Sequence, residues 1–101
     1  MAINLKAITS VMGYQQITSL SSATKLTVPN KDLSGLAGTP RIAIITPEGQ
    51  AVRWRDDGVA PTASVGMPLA VGVTLQYDGD INQIQFIEQT SGAKLNITYY
   101  S

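Results

Sequence analysis

The stretch Ala93-Lys94-Leu95-Asn96-Ile97-Thr98-Tyr99-Tyr100 alternates apolar and polar side chains, which is the pattern of a β-strand with one buried face. The alternation predicts that Leu95, Ile97 and Tyr99 face the core while the polar residues between them face solvent. An amphipathic helix has a 3.6-residue period, which no window of 12 or more residues in the chain shows convincingly, so this stretch does not favour a helix. It therefore indicates a sheet, and similar alternation recurs upstream.

Short strand-like segments occur along the whole chain, separated by Gly, Pro and Asp residues. Their spacing is roughly the 8–12 residues that are typical of all-β sandwiches and barrels. The predicted strands are residues 1–8, 14–20, 25–28, 41–46, 51–55 and 69–77, a strand around Ile84 and Phe86, and residues 93–100. The side chains predicted to point inward from the middle strands are Leu26, Val28, Val52, Trp54, Val73, Leu75, Tyr77, Ile84 and Phe86. Residues 30–40 are predicted to form a long loop with room for one helical turn at 32–36.

The segments 41–46 (RIAIIT) and 51–55 (AVRWR) flank a strong turn signal. In Thr46-Pro47-Glu48-Gly49, proline presets φ at the second position of a type I turn and glycine suits the fourth. We therefore predict that the two segments form a hairpin.

Composition supports a β fold, because the β-branched residues Ile (10), Val (7) and Thr (10) supply 27 of the 101 residues. We predict one all-β domain over residues 1–101, an antiparallel β-sandwich or flattened barrel of about seven or eight short strands. A jelly-roll order is compatible with this pattern, but the sequence does not determine strand order. Residues 1–10 are predicted to form an N-terminal arm or strand that makes contacts between subunits.

Charge and residue usage exclude several function classes. The chain has 7 Lys+Arg, 7 Asp+Glu, no His and no Cys, and its formal net charge is zero. It therefore lacks the basic patch that nucleic-acid binding needs, and it cannot form disulfides, His- or Cys-ligated zinc sites or His-based catalytic groups. No run approaches the 18 apolar residues of a membrane span. We expect no enzyme activity, no cofactor, no metal, and neither nucleic acid nor membrane as a partner.

The densest polar feature is residues 53–58 (RWRDDG), and it has two interpretations. In the functional one, Arg53 and Arg55 share a strand face that grips a carboxylate or phosphate, with Trp54 as a stacking plane. In the structural one, Trp54 packs in the core and the arginines face solvent or pair with Asp56 and Asp57. We favour the structural interpretation, because alternation usually reports burial.

Four segments together resemble a known group of proteins. They are residues 51–58 (AVRWRDDG), 60–69 (APTASVGMPL), 85–89 (QFIEQ) and 93–100 (AKLNITYY). In these segments, which lie in about the last 60 residues, the chain resembles short proteins encoded among the structural genes of tailed bacteriophages. The resemblance implies a particle component, and no catalytic residue comes with it.

From this resemblance we expect a virion protein, first of all a capsid decoration or cement protein on the outer surface of the head. Its expected partners are the major capsid protein and further copies of itself, as a homo-oligomer in the particle. The alternative is a tail, baseplate or fibre-associated module that contacts host-surface glycan, and a third is a cellular binding module. The predicted interface residues are Ile3 and Leu5 of the arm, Arg53, Arg55 and Tyr100, since an exposed amphipathic tyrosine suits protein contact.

Overall fold

The computed structural model describes residues 10–101, and over this range the chain forms eight β-strands and no helix. The strands are β1 (Val11–Ile17), β2 (Thr24–Lys25), β3 (Ile42–Glu48), β4 (Val52–Arg55), β5 (Met67–Leu69), β6 (Leu75–Tyr77), β7 (Gln85–Glu88) and β8 (Lys94–Tyr100). The predicted all-β sandwich is confirmed. The strand predicted at residues 1–8 lies outside the described residues. No helix within the described range is long and apolar enough to cross a membrane.

Two four-stranded sheets, ordered β1-β8-β3-β6 and β2-β7-β4-β5, make the sandwich. Every strand pair is antiparallel, and the first strand pairs with the last, the second with the seventh, the third with the sixth and the fourth with the fifth. The chain is thus one long antiparallel ribbon folded over on itself, with the β3–β8 and β4–β7 pairs completing the sheets. This is the strand order of an eight-stranded jelly roll.

The hairpin predicted between residues 41–46 and 51–55 is wrong, because β3 and β4 belong to different sheets. Pro47 is not in the turn; it continues β3, pairs with Leu95 and is fully buried. Burial of every second residue along β3 therefore outweighs the local turn preference at Pro47. The chain turns later, where Gly49 has φ +84° and the Gln50 N–H donates to the Glu48 carbonyl at 3.0 Å.

The strand predicted over residues 69–77 is two strands, β5 and β6, which lie in different sheets. Between them the chain crosses from one sheet to the other. Val73, predicted to face inward, lies in this crossing and is 50% exposed, so that prediction is wrong. Tyr77, at the end of β6, is buried as predicted.

The loop between β2 and β3 contains a tight turn in place of the predicted helical turn. The Asp32 carboxylate accepts hydrogen bonds from the Ser34 N–H and hydroxyl and from the Leu36 N–H. These bonds lower the pKa of Asp32, led by the one from the Ser34 side chain. An isolated bridge between Lys31 and Ala37 closes the turn, which leaves Leu33 and Leu36 exposed at its tip.

The core lies between the two sheets and includes the inward residues predicted for the last two strands. Leu95, Ile97 and Phe86 are fully buried, and Tyr99 is 1% exposed. Burial raises the pKa of Tyr99, whose hydroxyl donates to Gln15 Oε1 at 2.7 Å. Among the described residues no buried side-chain polar atom lacks a hydrogen-bond partner.

Candidate functional site: a surface groove at Trp54

An open groove of about 370 Å³ lies where β4 ends and β5 begins. Its surface is mainly apolar, and Trp54 pairs with Met67 across the two strands. The lining residues are Trp54, Arg55, Asp56, Asp57, Val65, Gly66 and Met67. An apolar concavity with a few polar groups at its rim is the usual form of a binding site.

Arg53 holds one wall of this groove in place. Its Nε donates to the Ala63 carbonyl at 3.2 Å, and its Nη1 donates to the Gly66 carbonyl at 2.8 Å. Thr62 Oγ1 accepts the Val65 N–H at 3.0 Å within the same loop. The second half of the connection from β4 to β5, residues 62–66, is therefore held by bonds inside the chain.

Arg55 forms a two-point pair at the rim of the groove. Its Nε lies 3.0 Å from Asp57 Oδ1, and its Nη2 lies 2.6 Å from Asp57 Oδ2. The hydrogen bond from Arg55 lowers the pKa of the Asp57 carboxyl, and it raises the pKa of the guanidinium. The predicted pairing of an arginine with a neighbouring aspartate is thus confirmed for Arg55 and Asp57.

Trp54, which lines the groove, also joins the two sheets through an aromatic contact. The rings of Trp54 (β4) and Tyr77 (β6) meet edge to face, with centroids 6.0 Å apart. The Tyr77 hydroxyl donates to Asp56 Oδ2 at 2.7 Å. Burial, followed by the bond to Asp56, raises the pKa of Tyr77 to about 12. Trp54 is only partly buried, so it packs on the core with one edge and lines the groove with the rest.

The predicted interface residues have different surroundings in the structure. Ile3 and Leu5 lie outside the described residues. Arg55 lines the groove, whereas the Arg53 guanidinium is bonded to loop carbonyls. Tyr100 is half-buried in β8, in the other sheet, and pairs there with strands β1 and β3. The two arginines that share a predicted strand face therefore have separate roles.

Three exposed apolar residues of this region, two of which line the groove, were not among the predicted interface residues. Val59, Val65 and Met67 are 51%, 52% and 57% exposed, respectively. All three lie between the predicted strands at residues 51–55 and 69–77, where no alternation indicates which side chains face solvent. The available signal was composition, because three large apolar residues fall in a segment that the sequence predicts to be a connection between strands, where a solvated loop does not explain them.

A second concavity, of about 360 Å³, lies at the opposite end of the sandwich and is mostly polar. Glu88, on its wall, accepts the Gly92 and Ala93 N–H groups at 3.2 and 3.4 Å, so its carboxylate supports the β7–β8 connection. Across residues 10–101 no group of three or more acidic side chains is placed to hold a metal ion.

Comparison of the chain with protein-family models, with curated proteins and with solved structures gives no match. Function is therefore proposed from the sequence and the geometry alone.

Proposed function

We propose that the protein is a structural component of a tailed-bacteriophage particle, a decoration or cement protein that binds the outside of the head and stabilises contacts between capsomers. One observation supports this most directly. Residues 51–69, which carry the densest part of the resemblance to phage structural proteins, form one unit of β4, an internally bonded loop and β5. That unit displays the apolar groove at the surface.

The physical properties of the chain suit such a role. A formal net charge of zero limits repulsion between many neighbouring copies. A shell multiplies weak contacts by avidity, so each copy needs little buried area per contact. The jelly roll also recurs in viral capsid and lectin domains, which is an association by fold alone.

Two exposed leucines provide a contact surface for the capsid. Leu33 and Leu36 are 74% and 69% exposed at the tip of the turn that Asp32 organises. They belong to residues 1–40, which do not share the resemblance, and we assign the partner-specific contact to this part of the chain. In the proposed role this tip docks against the major capsid protein.

The first experiment is to count copies of the chain in purified particles by quantitative mass spectrometry against the major capsid protein. A ratio near one supports decoration of the head. A handful of copies per particle would favour the tail or a vertex, and absence from particles would refute both roles and leave a cellular binding module.

Attachment is tested with a matched pair of variants added to particles that lack the protein. The double variant Leu33→Asp, Leu36→Asp is expected to lose attachment, because it places two charges in an apolar contact. Val71→Asp changes a residue that is 50% exposed at the other end of the sandwich and should attach normally. Full attachment of the double variant would contradict the assigned contact.

The tail or fibre alternative also has a specific observation in its favour. Trp54 is the only tryptophan, and it lines the groove beside the paired Arg55 and Asp57. An aromatic surface next to oriented polar groups is suited to a sugar ring. A saturable change in Trp54 fluorescence on adding host polysaccharide, together with a low copy number, would support this role over decoration.

A further inference from the structure

The groove at Trp54 presents apolar surface that no segment within residues 10–101 covers. Val65 and Met67 remain more than half exposed although their backbone positions are set by the loop and the sheet. The lining contains one arginine and two aspartates, which gives it a net charge of −1. The suitable occupant is therefore an apolar segment that carries a positive charge.

Residues 1–9 (MAINLKAIT) have this composition. Ile3, Leu5 and Ala7 occupy alternate positions, so an extended segment would present them together. Lys6 is the only charged side chain of the segment, and its sign is opposite to that of the groove.

We propose that the groove is the binding site for residues 1–9 of a second copy of this chain. The apolar side chains of this N-terminal arm pack against Trp54 and Met67, and Lys6 lies near Asp56. The inference deepens the proposed function and rests on it for the setting, because an arm-in-groove contact links neighbouring copies on a particle surface.

The length of the N-terminal arm favours binding in the groove of a second copy over binding in the groove of the same molecule. Ser10 and the groove lie at the same end of the sandwich, because β1 and β3 start there and β4 returns there. However, β1 is one edge of its sheet, and the groove lies beside β6, the other edge, as the Trp54–Tyr77 contact shows. Three strand spacings (about 14 Å) and one sheet separation (about 10 Å), taken at right angles, put the groove about 17 Å from Ser10 in a straight line. The five residues from Ser10 to Leu5 also span about 17 Å when fully extended, so the molecule's own arm would reach the groove only as a straight chain along that line, whereas the arm of a second copy can approach from solvent.

The contact is expected to depend on side chains rather than on strand addition. β5 is the outer strand beside the groove and has three residues, with Pro68 in the middle. Proline has no N–H to offer an incoming strand, so this edge is a poor template for main-chain pairing. Changing one apolar side chain on either partner should therefore abolish binding.

The test uses the full chain and two single variants. Wild type is expected to self-associate in sedimentation velocity at micromolar concentrations, and Leu5→Asp and Met67→Asp should each be monomeric there. Mixing the two variants should restore association, because one supplies an intact groove and the other an intact arm. Val71→Asp, with similar exposure far from the groove, is the control and should associate like wild type.

A direct binding assay uses a synthetic peptide of residues 1–9 and the Leu5→Asp chain, whose own arm is disabled. Because Trp54 is the only tryptophan, its fluorescence reports on the groove alone. Peptide is expected to shift the emission saturably, and a Leu5→Asp peptide should bind at least tenfold more weakly. Added salt should weaken binding, since Lys6 contributes an exposed charge.

Several results would overturn the inference. Association of Leu5→Asp as strong as that of wild type would exclude the arm as the occupant. A monomeric wild type whose Trp54 emission differs from that of Leu5→Asp would mean that the arm occupies the groove of its own molecule. A response to host polysaccharide but not to peptide would assign the groove to glycan. None of these results alters the copy number in particles, so the inference and the proposed function fail separately.

Discussion

Arg53 and Arg55 are two residues apart on β4, and replacing each by methionine should have very different effects. Methionine keeps much of the aliphatic stem and removes only the guanidinium. At position 53 this deletes the bond at 2.8 Å to the part-buried Gly66 carbonyl and the exposed bond at 3.2 Å to the Ala63 carbonyl. A hydrogen bond from a charged donor contributes about 1.5–3 kcal/mol when shielded from water, and the exposed bond contributes less. The expected loss is about 2 kcal/mol.

A loss of this size lowers Tm by roughly 10 °C in a domain of this length. Arg55→Met is the matched control, because it removes only the exposed pair with Asp57 and should change Tm far less. Differential scanning calorimetry measures both values. Hydrogen exchange should also show faster exchange at the Val65 amide in Arg53→Met alone, since the loop loses its anchor. Equal Tm losses for the two variants, or an Arg53→Met protein as stable as wild type, would refute the role given to Arg53.

Three further outcomes are expected. Gly49→Ala should lower the free energy of unfolding by about 2–4 kcal/mol in urea, because φ is +84° and the new methyl carbon would lie 2.6 Å from the Gly92 carbonyl oxygen. The control Gly58→Ala has a similar φ of +85° but open space around it, so it should lower the free energy by only about 1 kcal/mol. Gln15→Leu should lose about 1–3 kcal/mol, because it leaves the buried Tyr99 hydroxyl without its acceptor, and a neutral result would contradict that bond's contribution. Because burial raises the pKa of Tyr99, the folded state keeps the hydroxyl proton to higher pH than the unfolded state does. The stability that this group contributes should therefore be constant below about pH 10 and fall above it. Urea midpoints measured at successive pH values should fall less at alkaline pH in Tyr99→Phe than in wild type.

The strands that were predicted correctly are those in which the immediate neighbours of each residue indicate whether its side chain points to the core or to solvent. In β8 the alternation of Leu95, Ile97 and Tyr99 with polar residues placed the buried face correctly. Phe86 in β7 was assigned to the core on the same basis. Period-2 alternation is a local property, so it needs no knowledge of the partner strand.

The failed predictions concern which strand each strand pairs with. Turn chemistry at Pro47 favoured a hairpin, yet Pro47 is buried in β3, and the chain continues into the other sheet. Residues 69–77 alternate like one strand but contain a crossing between sheets, which exposes Val73. Neither outcome is encoded within a few residues, because sandwich strands pair with segments that are distant in the chain.

The candidate site was predicted only in part. The sequence indicated that residues 53–58 were the densest polar feature, and Arg55 does lie in the groove. It did not separate Arg53 from Arg55, because both occupy the same face of the same strand. The difference arises from the loop carbonyls that return to Arg53 from residues 63 and 66.

The sequence by itself determined that this is an all-β domain and which faces of its last strands are buried, because side-chain alternation and β-branched composition act over a few residues. Tertiary structure alone decided the jelly-roll order, the separate roles of the two arginines and the exposure of Val65 and Met67 beside Trp54. These features depend on which distant segments meet when the ribbon folds over on itself, and that choice is made by burial of the whole core rather than by any local pattern.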